Sequence, residues 1–276
     1  MGLCQLFKHD YCGVQNMSSK LGYALVTGAS SGIGADFASE LADRGYDLIL
    51  SARRRDRLEE LKKELTARFS IHVEVLVADL SNPTGAQQLF DQIRLLSLPV
   101  KLLVNNAGLG RFGAFNSQTL IEIQEMIQVN LTSLTTLTRL FADQMAQAGG
   151  GYILNVASFS AIQPTPDYAV YSGTKAYVLA FSQALNHGLR SRHVRVCALC
   201  PGFFDSEFLN VAGQKLTFMV RILMLNRRSV ARAGITGVLR GRTLVVPGIF
   251  YKSLNLLLRL ATRAFATALA DFAVKH

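Results

Sequence analysis

Short apolar runs alternate along this chain with longer amphipathic segments. The runs Tyr23–Thr27, Asp47–Ser51, Val73–Ala78, Leu102–Asn105, Tyr152–Val156, Val194–Leu199 and Thr243–Val246 predict strands, and the segments between them predict helices. Apolar strands separated by amphipathic helices imply a parallel sheet covered on both faces. The pattern therefore predicts an α/β fold, a doubly wound parallel sheet in a single domain. Such sheets bind ligands outside the carboxyl ends of their strands. The Gly28–Gly34 loop, Arg53, Asp79, Asn106 and Ser158 each follow the end of a predicted strand, so the topology brings them to one edge.

Two of these positions carry recognisable chemistry. Tyr23–Thr27 runs into Gly28, Ala29, Ser30, Ser31, Gly32, Ile33 and Gly34 and then into a helical pattern. Glycines permit a sharp turn and let backbone N–H groups approach a pyrophosphate at a helix N-terminus. The spacing is Gly-x3-Gly-x-Gly, in the strand–turn–helix context that this chemistry requires. Further on, Tyr171 and Lys175 stand four residues apart, one turn apart on one helix face. An ammonium beside a phenol favours the phenolate, so the spacing leads one to expect a Tyr171 pKa drawn down toward the range of general acid–base work.

With these landmarks the chain resembles the short-chain dehydrogenase/reductase family, over residues 21 to about 210. Thr27–Gly34 matches the family's cofactor motif, Asp79 with Leu80 its adenine contact, and Asn105, Asn106, Ala107 and Gly108 its Asn-Asn-Ala-Gly segment. Asn130, Ser158, Tyr171 and Lys175 match its catalytic tetrad, and Pro201 and Gly202 its Pro-Gly turn. Ser51–Arg54, Pro164–Pro166 and Val245–Gly248 are similar to the DltE-like branch and to ketoacyl and hydroxysteroid reductases. The resemblance implies a Rossmann-type fold and an oxidoreductase interconverting a ketone and a secondary alcohol. Ser158 and Tyr171 would bond the carbonyl oxygen and Tyr171 would supply the proton. Lys175 would also hold the nicotinamide ribose, and Asn130 would hold a water linking Lys175 to solvent. Asn130 has a second reading as a buried amide bonding backbone, and Ser160 is a rival to Ser158. Ser206 stands where relatives carry a Thr that contacts the nicotinamide carboxamide.

Cofactor choice turns on the end of the second strand. Relatives that use NAD place an acid where this chain has Ala52, and Arg53 follows it. A guanidinium binds a 2′-phosphate that an acid would repel, so NADP(H) is the expected cofactor, with Arg53 as its partner. Arg54, Arg55 and Arg57 read more simply as a solvated helix start.

Composition adds constraints. Of 276 residues, 50% are hydrophobic and 17% charged, which describes a globular chain and excludes a disordered one. Residues 1–20 read as a polar extension without a secretory core, which leads to an expectation of a cytoplasmic protein. Cys197 and Cys200, three apart on a strand, point to opposite faces and cannot share a metal, so no metal site is expected.

The last quarter is individual. Residues 201–276 hold eleven Lys and Arg against three Asp and Glu, a net +8 of the chain's +10. They are also rich in apolar residues. Residues 203–228 correspond to the family's helical substrate lid, and Phe203, Phe204, Phe208, Phe218, Met219 and Met224 would cover an oily pocket for a lipophilic substrate. An apolar, basic end is compatible with lying on an anionic membrane surface. Burial between subunits of a homo-oligomer explains it as well. Nucleic-acid binding is not expected, because the basic residues are interleaved with aliphatics. A catalytically idle cofactor-binding regulator and a membrane-surface adaptor are the alternatives to an enzyme, and the intact Ser158, Tyr171 and Lys175 set speaks against both.

Overall fold

The computed structural model describes residues 21–204, 222–260 and 262–275. The expected extension over residues 1–20, Ser206 and most of the expected lid lie outside them. Seven strands form one sheet: β1 (Tyr23–Thr27), β2 (Asp47–Ala52), β3 (Val73–Val77), β4 (Val100–Asn105), β5 (Gly151–Val156), β6 (Val194–Leu199) and β7 (Leu244–Val245). Their order is β3-β2-β1-β4-β5-β6-β7, and every pairing is parallel. The expected strands are all present. β4 and β5 begin earlier than the apolar pattern suggests, because Val100, Lys101 and Gly151 extend the strands despite their flanking loops. β7 is trimmed to two residues at the sheet edge.

Alternation along each strand sends side chains to two cores. Ala24, Val26, Leu48, Leu50, Val104 and Leu154 pack under α1 (Gly32–Asp43), α2 (Arg55–Arg68) and α7 (Arg227–Leu239). Leu25, Ile49, Leu103 and Ile153 face α3 (Gly85–Leu95) and α5 (Leu134–Gln147). Cys197 belongs to the first core and Cys200 to a third cluster near the cleft, so the two thiols lie apart as their spacing predicts. α4 (Leu120–Ile127) starts at a capping box, Thr119 accepting from the Glu122 amide while Glu122 reaches back to the Thr119 amide. One turn of π-helix, Gln128–Ser133, joins it to α5.

The chain builds outward from β1 to β3 and then returns to lay β4 on the other side of β1. That reversal opens a crevice between the carboxyl ends of β1 and β4. α6 (Ala169–Gly188) descends beside it, and α8 (Ile249–Leu258) and α9 (Arg263–Lys275) follow β7.

The turn after β1 depends on the absence of side chains. Gly28 and Gly32 have φ of +65° and +58°, and a Cβ on Gly34 would stand 2.2 Å from the Gly28 carbonyl oxygen. Gly34→Ala should therefore cost about 1–3 kcal/mol of stability. Gly188 sits at the end of α6 with ordinary φ, and a Cβ added there would meet nothing within 4 Å. Gly188→Ala should stabilise by about 0.5 kcal/mol through the unfolded chain. Urea unfolding of the two variants beside the parent chain checks both signs.

Candidate active site

The glycine turn makes one end of a cleft of about 760 Å³. Its geometry is fixed from β4. The Asn106 side chain donates to the carbonyls of Thr27 at 2.9 Å and Gly28 at 3.1 Å, while the Thr27 hydroxyl accepts from the amides of Asn106 and Ala107. α1 starts at Ser31 with no side-chain cap and no acid in its first turn. Its N-terminal amides and the positive end of its dipole thus suit an anion. Gly28, Ser30, Ser31, Gly32, Ile33, Asn106, Ala107 and Gly108 all line the cleft. Gly34 does not; its place is under the turn, against Gly28.

The second group comes from β5 and α6. Ser158 follows β5 in extended conformation, and its hydroxyl accepts from the Ser160 amide at 3.2 Å. Ser160 thus serves Ser158 through its backbone. The Ser158 side chain is hydrogen-bonded to the Tyr171 hydroxyl. Lys175, one turn along α6, donates to the Val156 carbonyl at 2.8 Å, and its Nζ lies 5.6 Å from the centroid of the Tyr171 ring. Ser158, Tyr171 and Lys175 all line the cleft. Asn130 stands behind them, fully buried in the π turn. It accepts from the Leu109 amide at 2.8 Å and donates to the Leu109 carbonyl at 2.8 Å and the Thr174 hydroxyl at 3.0 Å. Its amide thus bonds the Leu109 backbone and the Thr174 hydroxyl. A Cβ on Gly108 would be 3.4 Å from both Asn130 Oδ1 and Lys175 Nζ, so this glycine lets the two approach the cleft floor.

Electrostatics correct one expectation. Burial pushes the Tyr171 phenol up to about 12, and the bond with Ser158 only partly offsets it. The same loss of solvent pulls Lys175 down to about 8. Lys175 therefore does not draw the Tyr171 pKa below its ordinary value: its ammonium is engaged by the Val156 carbonyl, and desolvation of the phenolate prevails. The nearby Cys200 thiol, itself raised to about 12 by burial, is neutral at ordinary pH.

Arg53, Arg54 and Asp79 bound the end of the cleft beside β2 and β3. Arg53 reaches Glu125 only at 3.9 Å, with its side chain 60% exposed. Arg54 bonds the Ser30 hydroxyl of the glycine turn at 3.3 Å. The sequence offered no sign of this, since Arg54 differs from Arg55 only in where β2 ends. Asp79 accepts from the Ser81 amide and hydroxyl at 2.9 and 2.7 Å. Burial alone would raise its pKa, but these bonds and the Arg53 charge hold it below the usual carboxylate value. Leu80, Pro201 and Gly202 complete the cofactor positions that reach the cleft.

The opposite end is apolar. Phe203 and Phe204 line it as expected, joined by Phe159, Leu223, Phe250, Tyr251, Leu254 and Leu269. Phe208, Phe218 and Met219 lie outside the described residues, and Met224 is not among the lining residues. Tyr251 was hidden in the sequence within an apolar run. Its hydroxyl accepts from the Phe203 amide at 3.1 Å and donates to the Leu223 carbonyl at 3.2 Å, and its ring occupies the space a Cβ on Gly202 would need. Gln163 donates to the Ala266 carbonyl at 3.1 Å and so ties α9 over the same end.

The residues present fit a dinucleotide: a glycine-rich turn, an uncapped helix N-terminus, two arginines and no acid at Ala52. Comparison with known proteins agrees. The family profile described as short chain dehydrogenase matches residues 22–216. A very-long-chain 3-oxoacyl-CoA reductase from Bos taurus is 31% identical over 195 residues, 68% of this chain. The chain spans 61% of that relative's length. A short-chain dehydrogenase from Sphingobium yanoikuyae, solved in complex with NADPH, is 33% identical, with a TM-score of 0.78 over 87% of this chain and 94% of the other. A bulky-bulky ketone specific alcohol dehydrogenase from Comamonas testosteroni is 29% identical, with a TM-score of 0.75 over 87% of this chain and 92% of the other. By motif, by fold and by the profile match over most of its length, the chain belongs to the short chain dehydrogenase family.

Proposed function

We propose that the protein is an NADP(H)-dependent oxidoreductase that interconverts a lipophilic ketone and its secondary alcohol. The observation that carries this reading is the Tyr171 hydroxyl, bonded to Ser158 and backed by Lys175, at the junction of a phosphate-suited turn and an apolar chamber. The names of the relatives, which specify a 3-oxoacyl-CoA and bulky ketones, support the same class of substrate. A bound nicotinamide would exchange a hydride with the carbonyl carbon. The chain's own residues do the rest. Gly28, Ser30, Ser31, Gly32 and Ile33 hold the pyrophosphate at the head of α1, and Asp79, Leu80, Asn106, Ala107 and Gly108 border the adenosine and ribose. Pro201 and Gly202 would flank the nicotinamide end. Ser158 and Tyr171 orient the carbonyl oxygen by hydrogen bonds.

Proton transfer falls to Tyr171. With its pKa raised to about 12, the phenol is protonated at neutral pH and is ready to act as an acid, which suits ketone reduction. Charge building on the carbonyl oxygen is then met by an O–H donor in a site that excludes water. Lys175, mostly protonated at neutral pH with a pKa of about 8, supplies the positive charge that stabilises the phenolate left behind. Asn130 positions Lys175 by fixing the Leu109 backbone and Thr174 around it. We also propose contact with a membrane and assembly as a homo-oligomer, neither of which the chemistry requires. Among the described residues no helix is long and apolar enough to cross a membrane.

Three measurements test this reading. Tyr171→Phe keeps the ring and removes the acid. Turnover of ketone with NADPH should fall at least about 100-fold, while cofactor binding, read by nicotinamide fluorescence, persists; near-parent turnover would refute the mechanism. For cofactor choice, the parent enzyme should prefer NADPH to NADH. Arg53→Ala and Arg54→Ala should each raise the KM for NADPH by about tenfold and leave that for NADH nearly unchanged. Equal use of the two cofactors by the parent contradicts the argument from Ala52.

The third test concerns stability. Lys175 has a folded pKa of about 8 against 10.5 unfolded. Between these values the unfolded chain binds more protons, so stability rises with pH; below about 8 the full cost of the buried charge is present. The cost is roughly 3 kcal/mol if the whole shift is counted. In Lys175→Met that rise is absent. The stability of the parent relative to the variant should therefore increase as pH goes from about 7.5 to about 10, measured by urea unfolding at each pH. A difference that stays constant across the window would refute the assignment.

A further inference from the structure

We propose that the outer face of α8 docks on an anionic lipid surface beside the mouth of the substrate chamber. α8 carries apolar residues on both its inner and its outer side. Tyr251 and Leu258 are buried against the body of the protein and Leu254 is half-buried, which fixes the inner side of the helix. On the opposite side Ile249, Leu256 and Leu257, with Leu260 just past the helix end, form a stripe at helical spacing. Ile249 and Leu260 are 84% and 88% exposed, and Leu256 and Leu257 are 64% and 57% exposed. Isolated exposed aliphatic residues are ordinary, but four on one stripe mark a surface that meets something.

The stripe is continuous with the chamber. Phe250, at its edge, is half exposed and also lines the cleft, next to Leu254. The charges identify the occupant. Lys252 and Arg259 stand together on one flank of the stripe, both exposed, and neither makes an ion pair among the described residues. No Asp or Glu occurs in the sequence between Glu207 and Asp271. Two other basic residues of this region are paired within the fold, Arg227 with Asp36 and Arg232 with Glu40 on α1. A largely apolar stripe, broken by Ser253 and flanked on one side by cations with no acid on the helix, matches acyl chains beneath anionic headgroups. A second copy of the same stripe would bring cations to the contact with no carboxylate on α8 to meet them. A lipid surface in this position places the chamber mouth where a lipophilic substrate is dissolved. That last step rests on the proposed reaction; the docking does not.

Co-sedimentation of the full chain with vesicles tests the docking, and a light-scattering size measurement runs beside it. Vesicles are made of equal parts phosphatidylglycerol and phosphatidylcholine, or of phosphatidylcholine alone. The protein should bind the anionic vesicles at about 0.05 M salt, and much less at about 0.5 M, where the screening length shrinks. Neutral vesicles should bind it at least about tenfold more weakly. Lys252→Gln with Arg259→Gln should lower the affinity for anionic vesicles by about tenfold. Leu256→Ser, Leu257→Ser and Leu260→Ser together should abolish it. The two-residue charge variant keeps the test decisive if the triple variant does not fold. Cofactor binding should be unchanged in the charge variant, and a loss of turnover without a loss of vesicle binding would count against the reaction and not the docking. No binding to anionic vesicles at low salt overturns the proposal, as does binding that both variants leave intact. A stable dimer that the triple substitution converts to monomer also overturns it, in favour of a subunit interface.

Discussion

The cleft hangs on one close approach, that of Gly34 in the first turn of α1 to the carbonyl of Gly28. Only a residue without Cβ allows it, and it lays the turn flat so that the head of α1 opens into the crevice. Asn106 then bonds the carbonyls of Thr27 and Gly28 from the neighbouring strand. The amide thus satisfies both carbonyls and ties β4 to the turn after β1. Ala107 and Gly108 are placed by the same bonds. Gly108 in turn leaves room for Lys175 and Asn130 at the floor. A local steric fact at residue 34 is thus carried across three elements to the ammonium on α6.

That ammonium is held at a cost. Lys175 and Tyr171 are both deeply buried, one shifted down and the other up, so the folded chain disfavours the charged form of each. The Val156 carbonyl and the Ser158 hydroxyl offset part of this. A neutral phenol beside a cation is the arrangement that donates a proton and then tolerates the anion. The burial that shifts both groups is also what keeps the phenol protonated. Polar residues shifted in this way are more at home in a site than in a core.

Much of this was legible in the sequence because it is local. Strand runs, the glycine turn, and the Tyr171–Lys175 spacing are set by neighbours within a few residues, and parallel topology brings strand ends to one edge without further information. What failed was what depends on desolvation or on long-range packing. The direction of the Tyr171 shift depends on how much solvent the fold removes, which a spacing cannot report. Arg53 and Arg54 are adjacent and alike; only the last residue of β2 decides which one meets Ser30. Asn130 bonds Leu109, twenty-one residues away, through a π turn that no apolar period announces.

Tyr251 and α8 show the same limit from the other side. A helix with apolar residues on both its inner and its outer side has no preferred inner face by pattern alone. Its orientation is chosen by contact: the Tyr251 ring fills the space left by Gly202, and its hydroxyl joins the Phe203 amide to the Leu223 carbonyl. Once that ring is seated, the remaining geometry of the helix is determined, and the leucines left over must face outward. Net charge was equally misleading as a total. Among the described residues, Arg227 and Arg232 pair with Asp36 and Glu40 within the fold, while Lys252 and Arg259 at α8 stay on the surface. The surface chemistry of this end of the molecule is thus a consequence of where one tyrosine packs, more than of how many arginines and lysines the segment contains.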